Sequence, residues 1–233
     1  MLGFEGVKSA GFSAQPNQAI RAVPARPTSS EPNTGFPANV GMSSLPPPDF
    51  ARRDLPIEVV PAGASFVRIH RTAVGALHFG ASGDNRFDDP DGKYGVCYVA
   101  HTMAGAFAET CLRQVGASLA PLASLSARSA TDLLVTAGLR LVALHGSGLA
   151  RLGATAAVSS GAYEFSQPWS RAVHAHPFSP DGIVYRSNHD NGEFCAALFD
   201  RCRDRLAEGA SRELMADRAA LAGLLDRYKV GLT

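Results

Sequence analysis

From about residue 65 onward the chain alternates short apolar runs with amphipathic stretches, whereas before residue 61 neither period survives. Phe66-Val67-Arg68-Ile69-His70 mixes apolar and polar positions in the manner of a half-buried strand. The stretch from Gly80 to Gly92 is rich in Gly, Asp, Asn and Pro and is expected to be a loop. Tyr94 to Ala100 is a nearly all-apolar run that suits a buried strand, and Thr102 is placed to cap a helix from Met103 to about Val115. Arg140 to Leu144 predicts another strand, with a turn at Gly146-Ser147-Gly148. Ala162 to Ala175 predicts a helix that Pro168 should break or start. Gly182 to Arg186 and Phe194 to Phe199 predict two more strands. Ser211 to Tyr228 predicts a closing helix, with Leu214, Leu221, Leu225 and Tyr228 along one face.

Strands and helices are mixed without strict β-α-β alternation, so the fold class expected is α+β. No Gly-x-Gly-x-x-Gly follows a strand and no phosphate-binding P-loop is present, which leaves a dinucleotide fold of that type without support. Ten of the fifteen prolines fall at or before Pro61, among Ser, Asn, Thr and Gly. Residues 1–60 are therefore expected to be a disordered or draped Pro-rich extension, and residues 61–233 the folded domain.

Composition narrows the function classes. The apolar fraction of 45% is that of a globular protein, and 22 Lys plus Arg nearly cancel 21 Asp plus Glu. A formal charge of +1 with no basic run argues against direct nucleic-acid binding. Cys97, Cys111, Cys195 and Cys202 form no C-x-x-C pair and sit in apolar or helical stretches, as reduced buried thiols do. The first residues lack a positively charged segment followed by an apolar one, and no window resembles a membrane span. A cytoplasmic protein that binds no membrane is the expectation.

The candidate chemistry lies in polar residues set among apolar ones. Glu109 is the first carboxylate of a helix that is otherwise apolar on nearly every side, with Gly105 and Ala108 leaving room beside it. It is either a functional group or the partner of Arg113 one turn on. Arg86 stands in a turn-rich loop, placed to anchor a phosphate or carboxylate or to pair with Asp84 or Asp88. Arg68 is mid-strand, and Tyr98 is either a site aromatic or a core ring with a bonded hydroxyl. Ser187 ends a strand and opens Asn188-His189-Asp190, as a site residue or a turn cap. Ser187, His189 and Asp190 are too close in sequence to align as a relay. His174, His176, His189 and Asp190 lack a metal-ligand frame, so no metal is expected.

Taken together, FVRIHR, NRFDDPDGKYGVCYVA, AFAETCLR, QPWSRAVHAHP, DGIVYRSNHD and ALFDRC resemble the RES domain family in residue type, order and spacing, from about Phe66 to Cys202. Tyr98 stands eleven positions before Glu109, as in that family. Asn85 departs from the Gly usual before the second Arg, and Asn188 from the Arg that often follows the Ser. The resemblance implies an ADP-ribosyltransferase-like fold of mixed sheets with surrounding helices. It implies a toxin of a toxin–antitoxin pair that degrades NAD at the nicotinamide–ribose bond, as a glycohydrolase using water or a phosphorylase using inorganic phosphate. NAD is then a substrate, inorganic phosphate a candidate co-substrate, and no resident cofactor is implied. The catalytic residues implied are Glu109, Arg86 and Ser187, with Arg68 and Tyr98 binding substrate. The partner implied is an Xre-like antitoxin protein, and a homo-oligomer stays open. Two other readings stay open as well: ADP-ribose transfer to a protein target, and a non-catalytic binding module on the same fold.

Overall fold

A computed structural model describes residues 45–112 and 118–233. Period-two alternation builds the sheet, and the order of its strands makes the site. After a single 3-10 turn at Phe50–Arg52 come β1 (Ile57–Val60), β2 (Ser65–Arg71), β3 (Val96–Ala100) and α1 (Met103–Cys111). Then follow β4 (Leu119–Ala120), α2 (Leu122–Ser126), β5 (Arg128–Val135), β6 (Leu139–Leu144), α3 (Gly146–Leu152), α4 (Ala157–Ser160) and α5 (Tyr163–His174). The chain closes with β7 (Gly182–Arg186), β8 (Phe194–Phe199), β9 (Leu206–Glu213), α6 (Arg218–Arg227) and β10 (Gly231–Leu232).

Among the described residues, eight strands form one sheet in the order β1-β6-β7-β8-β3-β2-β5-β9, antiparallel except for the parallel pair β6–β7. The α+β class expected from the sequence is the one observed. β2 and β5 stay in register from Ser65↔Leu134 to Arg71↔Arg128, and β3 and β8 from Val96↔Phe199 to Ala100↔Cys195. Between these two blocks, β2 and β3 meet at one pair, Val67↔Ala100. The sheet splits there, and the split is where a cavity opens.

Apolar clusters cover both faces. One contains Phe87, Phe107, Trp169, Tyr185, Phe199 and Leu221, so α1, α5 and α6 lie on that side. The other contains Phe66, Cys97, Leu133, Leu141, Leu198 and Cys202. The alternation within β2 therefore sends Ile69 to the first face and Phe66 to the second.

Several elements differ from expectation. Residues 45–60, inside the stretch expected to be a tail, are structured: Phe50 is buried edge-on against Trp169, 5.5 Å between ring centres, and Ile57–Val60 pairs with β6. An edge strand tolerates the flanking Pro56 and Pro61, which hid it in the sequence. Residues 1–44 of that expected tail, and residues 113–117, where the helix expected from Met103 was to reach about Val115, lie outside the described residues. The expected turn at Gly146-Ser147-Gly148 opens α3 instead, and Gly148 passes so close to the Ala143 carbonyl that no side chain would fit. α5 runs through Pro168 without a break. One missing N–H is outweighed there by burial of Trp169 and Val173, which follow it in the same helix.

The closing helix begins at Arg218, not Ser211. Ser211–Glu213 belong to β9, and Asp217 caps α6 by accepting from the Ala220 N–H at 2.9 Å. Leu214 and Leu221 are both buried, which is the helical spacing that misled; an exposed edge strand offers little alternation to correct it. β10 pairs in parallel with β4 and ties the C-terminus down beside α2.

Candidate active site

Glu109 sits near the end of α1, whose start is fixed by Thr102, the side chain of which accepts from the Gly105 N–H at 3.0 Å as expected. The residues around Glu109 come mostly from the end of β7. Ser187 Oγ donates to Glu109 Oε1 at 2.6 Å, and the Asn188 N–H approaches the same oxygen at 3.3 Å. Tyr185 donates its hydroxyl to Glu109 Oε2 at 3.2 Å. Burial pushes the Tyr185 hydroxyl well above its ordinary range, and the adjacent Glu109 charge adds to this, so the phenol keeps its proton and donates. Ser187 in turn accepts the N–H groups of His189 and Asp190, at 3.2 and 3.3 Å. One carboxylate is thus fixed by three donors.

Glu109 faces a cavity of about 700 Å³. Arg68, Arg86 and Tyr98 line it too, so four of the five residues expected to form a site converge. The fifth, Ser187, is buried behind Glu109 and reaches the cavity through it. Arg68 belongs to the opposite face of β2 from Ile69, with Nη1 against Cys97 Sγ at 2.9 Å and on the carbonyls of Ala76 and His78 at 2.5 and 2.6 Å. It therefore pins the segment after β2 while bordering the cleft.

The loop carrying Arg86 is built on two aspartates. The Asp88 carboxylate accepts from the Asn85 side chain and backbone at 2.9 and 3.2 Å. Asp89 accepts from the Lys93 N–H at 3.1 Å and pairs with Arg171. α5 clamps the loop from outside. Gln167 donates to the Gly83 and Asn85 carbonyls, and Ser170 to the Phe87 carbonyl at 2.6 Å. This accounts for the QPWSR stretch singled out in the sequence. Arg86 pairs with neither Asp84 nor Asp88; its Nη1 donates to the Gly161 carbonyl at 2.6 Å and its guanidinium lies 5.2 Å from the Tyr163 ring centre.

Of the two readings of Tyr98 the bonded hydroxyl is the one observed, and the expectation for Gly105 needs correction. The Tyr98 hydroxyl is not open to a ligand, because it donates to Asp88 Oδ1 at 2.9 Å and accepts the Phe87 N–H at 2.8 Å. Burial, with Asp88 beside it, holds its pKa well above 10. Only the ring remains to meet a substrate. Gly105 does not make room beside Glu109; a side chain there would press on Ala100 and Glu193, so the glycine lets the 187–193 loop approach α1.

Of the residues missed in the sequence, Tyr185 alone carried a recognisable signal. Tyr185 stands two positions before Ser187, and strand alternation puts both on one face, so the period already present could have found it. Arg227 and Tyr228 grip the same loop: Arg227 Nη2 reaches Asp190 at 2.8 Å and Glu193 at 2.7 Å, and Tyr228 donates to Asp190 at 2.9 Å. No local pattern announces those contacts. His174 stacks on Tyr94 at 3.9 Å and His176 packs against Phe50, each occupied by ring packing.

No helix among the described residues is long and apolar enough to cross a membrane. The chain is 34% identical over 110 residues to "Probable toxin y4kH" of Sinorhizobium fredii (strain NBRC 101917 / NGR234), a match covering 47% of this chain and 86% of that protein. A chain of the M. tuberculosis MbcT-MbcA toxin-antitoxin complex has the same fold, with a TM-score of 0.56 and 14% identity over 73% of this chain and 91% of that one. The RES domain family matches residues 65–217, a span that begins with β2, contains Glu109 and all four residues grouped with it, and ends just before α6. This chain belongs to the RES domain family.

Proposed function

We propose that this protein is an NAD-consuming toxin that cleaves the nicotinamide–ribose bond, with water or inorganic phosphate as acceptor. The observation that carries the reading is the Glu109 carboxylate, held by Ser187, Tyr185 and the Asn188 N–H, facing a cavity that Arg68, Arg86 and Tyr98 also line. The toxin name of the Sinorhizobium relative and the toxin–antitoxin assembly of the mycobacterial neighbour support the toxin role and an antitoxin partner, for which an Xre-like protein covering the cleft is the form proposed. The cytoplasm, where NAD is abundant, is the proposed compartment.

Cleavage breaks the bond between ribose C1′ and the cationic ring nitrogen. The electron pair goes to that nitrogen, nicotinamide leaves neutral, and no general acid is needed. Positive charge develops on the ribose in an oxocarbenium-like transition state. A carboxylate already oriented by three donors stabilises that charge without reorganising. Glu109 takes this role and offers its oxygens to a ribose hydroxyl. The Tyr98 ring provides a flat face for nicotinamide. Arg68 and Arg86 border the cleft as cations for the substrate's phosphates. Ser187 acts through Glu109, as a positioning residue. An acceptor oxygen then bonds C1′; water loses its proton in doing so, and phosphate gives ADP-ribose 1-phosphate.

The test is product analysis. Purified protein incubated with NAD releases nicotinamide together with ADP-ribose in water, or ADP-ribose 1-phosphate once phosphate is added. Label from NAD found only on a macromolecule favours ADP-ribose transfer to a protein target instead.

A further inference from the structure

The register of β2 on β5 sets Arg71 directly opposite Arg128. Directly opposed residues of an antiparallel pair share a face, with Cβ atoms about 4.5–5.5 Å apart, and like charges there are destabilising. Neither guanidinium can give up its charge. Both residues line the cavity. Arg71 shares its face with Val67 and Ile69, the side on which α1 packs. The Thr110 hydroxyl reaches the Ile69 carbonyl at 3.5 Å, so the residue after Glu109 is pinned two positions from Arg71.

The surroundings do not neutralise Arg71. Among the described residues it makes no ion pair with a carboxylate. His70 beside it is turned to the strands, one ring nitrogen on the Arg71 carbonyl at 3.0 Å and the other on Thr131 Oγ1 at 2.8 Å. Diagonally across the same strands, two hydroxyls, Thr72 Oγ1 and Ser129 Oγ, lie 2.9 Å apart and bring no charge. Of the carboxylates bordering the cavity, Glu109 is engaged by its three donors and Asp84 stands on the far loop. Arg68 and Arg86, by contrast, each spend Nη1 on backbone carbonyls.

We propose that Arg71 and Arg128 form a phosphate-binding subsite of this cavity. An anion between the two guanidinium groups turns a repulsive pair into a clamp, and the guanidinium fork matches phosphate oxygens two at a time. The phosphate belongs either to the diphosphate of a bound dinucleotide or to free inorganic phosphate serving as acceptor. That choice of carriers rests on the NAD reading; the clamp itself does not.

The experiment uses the full chain carrying Glu109→Gln, so that ligand is not consumed, and titrates it by calorimetry with ADP-ribose and, separately, with inorganic phosphate at fixed ionic strength. Adding Arg71→Gln or Arg128→Gln is expected to weaken one of the two ligands by about 10- to 100-fold, the loss of a charge-assisted bond. Dependence in the ADP-ribose arm identifies the dinucleotide diphosphate, and dependence confined to the phosphate arm identifies the acceptor. Without ligand, the thermal midpoint of Arg71→Gln is expected at or above that of its parent, because repulsion is relieved. The subsite is overturned if both variants bind both ligands as the parent does, or if the parent binds neither. Nicotinamide release by the wild-type chain is read separately. Cleavage with arginine-independent binding removes the subsite alone, whereas arginine-dependent phosphate binding without cleavage removes the NAD reading alone.

Discussion

Ser187 donates its hydroxyl to Glu109 at 2.6 Å while accepting two backbone N–H groups from its own loop. The side chain is a hinge pin between the end of β7 and the carboxylate on α1. Ser187→Ala removes a hydrogen bond to a charged group, a contribution of about 1.5–3 kcal/mol. If that energy serves to orient Glu109, nicotinamide release falls about 10- to 100-fold in kcat. The KM for NAD changes little, because Ser187 does not border the cavity. A kinetic comparison at saturating NAD checks this.

The loop after Ser187 is itself held from α6, beyond the stretch the family match covers. Arg227 joins Asp190 to Glu193, and Tyr228 stacks on Phe107 of α1, 5.9 Å between ring centres. Arg227→Met is expected to lower kcat by about 10-fold through misplacement of Glu109. Arg227→Lys restores part of it, and the thermal midpoint stays close to wild type, since the Arg227 side chain is 48% exposed. A fall in midpoint that parallels the fall in activity assigns Arg227 to stability alone.

Tyr98→Phe strips the hydroxyl that joins the Phe87 N–H to Asp88 and leaves both without that partner. The expected loss is about 1–3 kcal/mol, read as a lower denaturant midpoint with an unchanged slope. The ring that borders the cavity is retained, so substrate affinity falls less than with Tyr98→Ala.

Acid acts on the same loop. Burial pushes the Asp89 carboxyl up, but Arg171 and the Asp91 and Lys93 N–H groups more than offset it, leaving its pKa below the ordinary 3.8. A carboxyl depressed in the folded state contributes stability that is fully present above its unfolded value and is lost as pH falls through its folded value. The contribution of Asp89 is thus intact at neutral pH, begins to fall near pH 3.8 and is lost as pH drops through the lower folded value. Asp89→Asn is expected to lower stability at pH 7 and to flatten its decline in that acid window, measured by urea unfolding at a series of pH values.

The sequence carried the elements whose pattern is local. β2 followed from its mixed apolar and polar positions, β7 and β8 from short apolar runs, and α1 from Thr102 and the apolar run behind it. Glu109 stood out because a carboxylate had no apparent reason to be there. What the residues alone did not show was long-range. β1 and β9 are edge strands flanked by proline or exposed along their length, so burial leaves no period to read. The Ser187–Glu109 contact spans 78 residues, and the Arg227–Asp190 contact joins α6 to a loop it neither precedes nor follows directly. The Arg71–Arg128 opposition exists only through strand register.

The proposed chemistry is glycosidic cleavage of NAD centred on Glu109. It is tested most directly by incubating wild-type protein and Glu109→Ala with NAD, in buffer with and without inorganic phosphate, and following free nicotinamide. Nicotinamide release by the wild type is expected in at least one buffer. None is expected from Glu109→Ala, whose circular dichroism and thermal midpoint stay close to wild type. Intact NAD after incubation with folded wild-type protein in both buffers, or equal release by the Glu109→Ala protein, contradicts it.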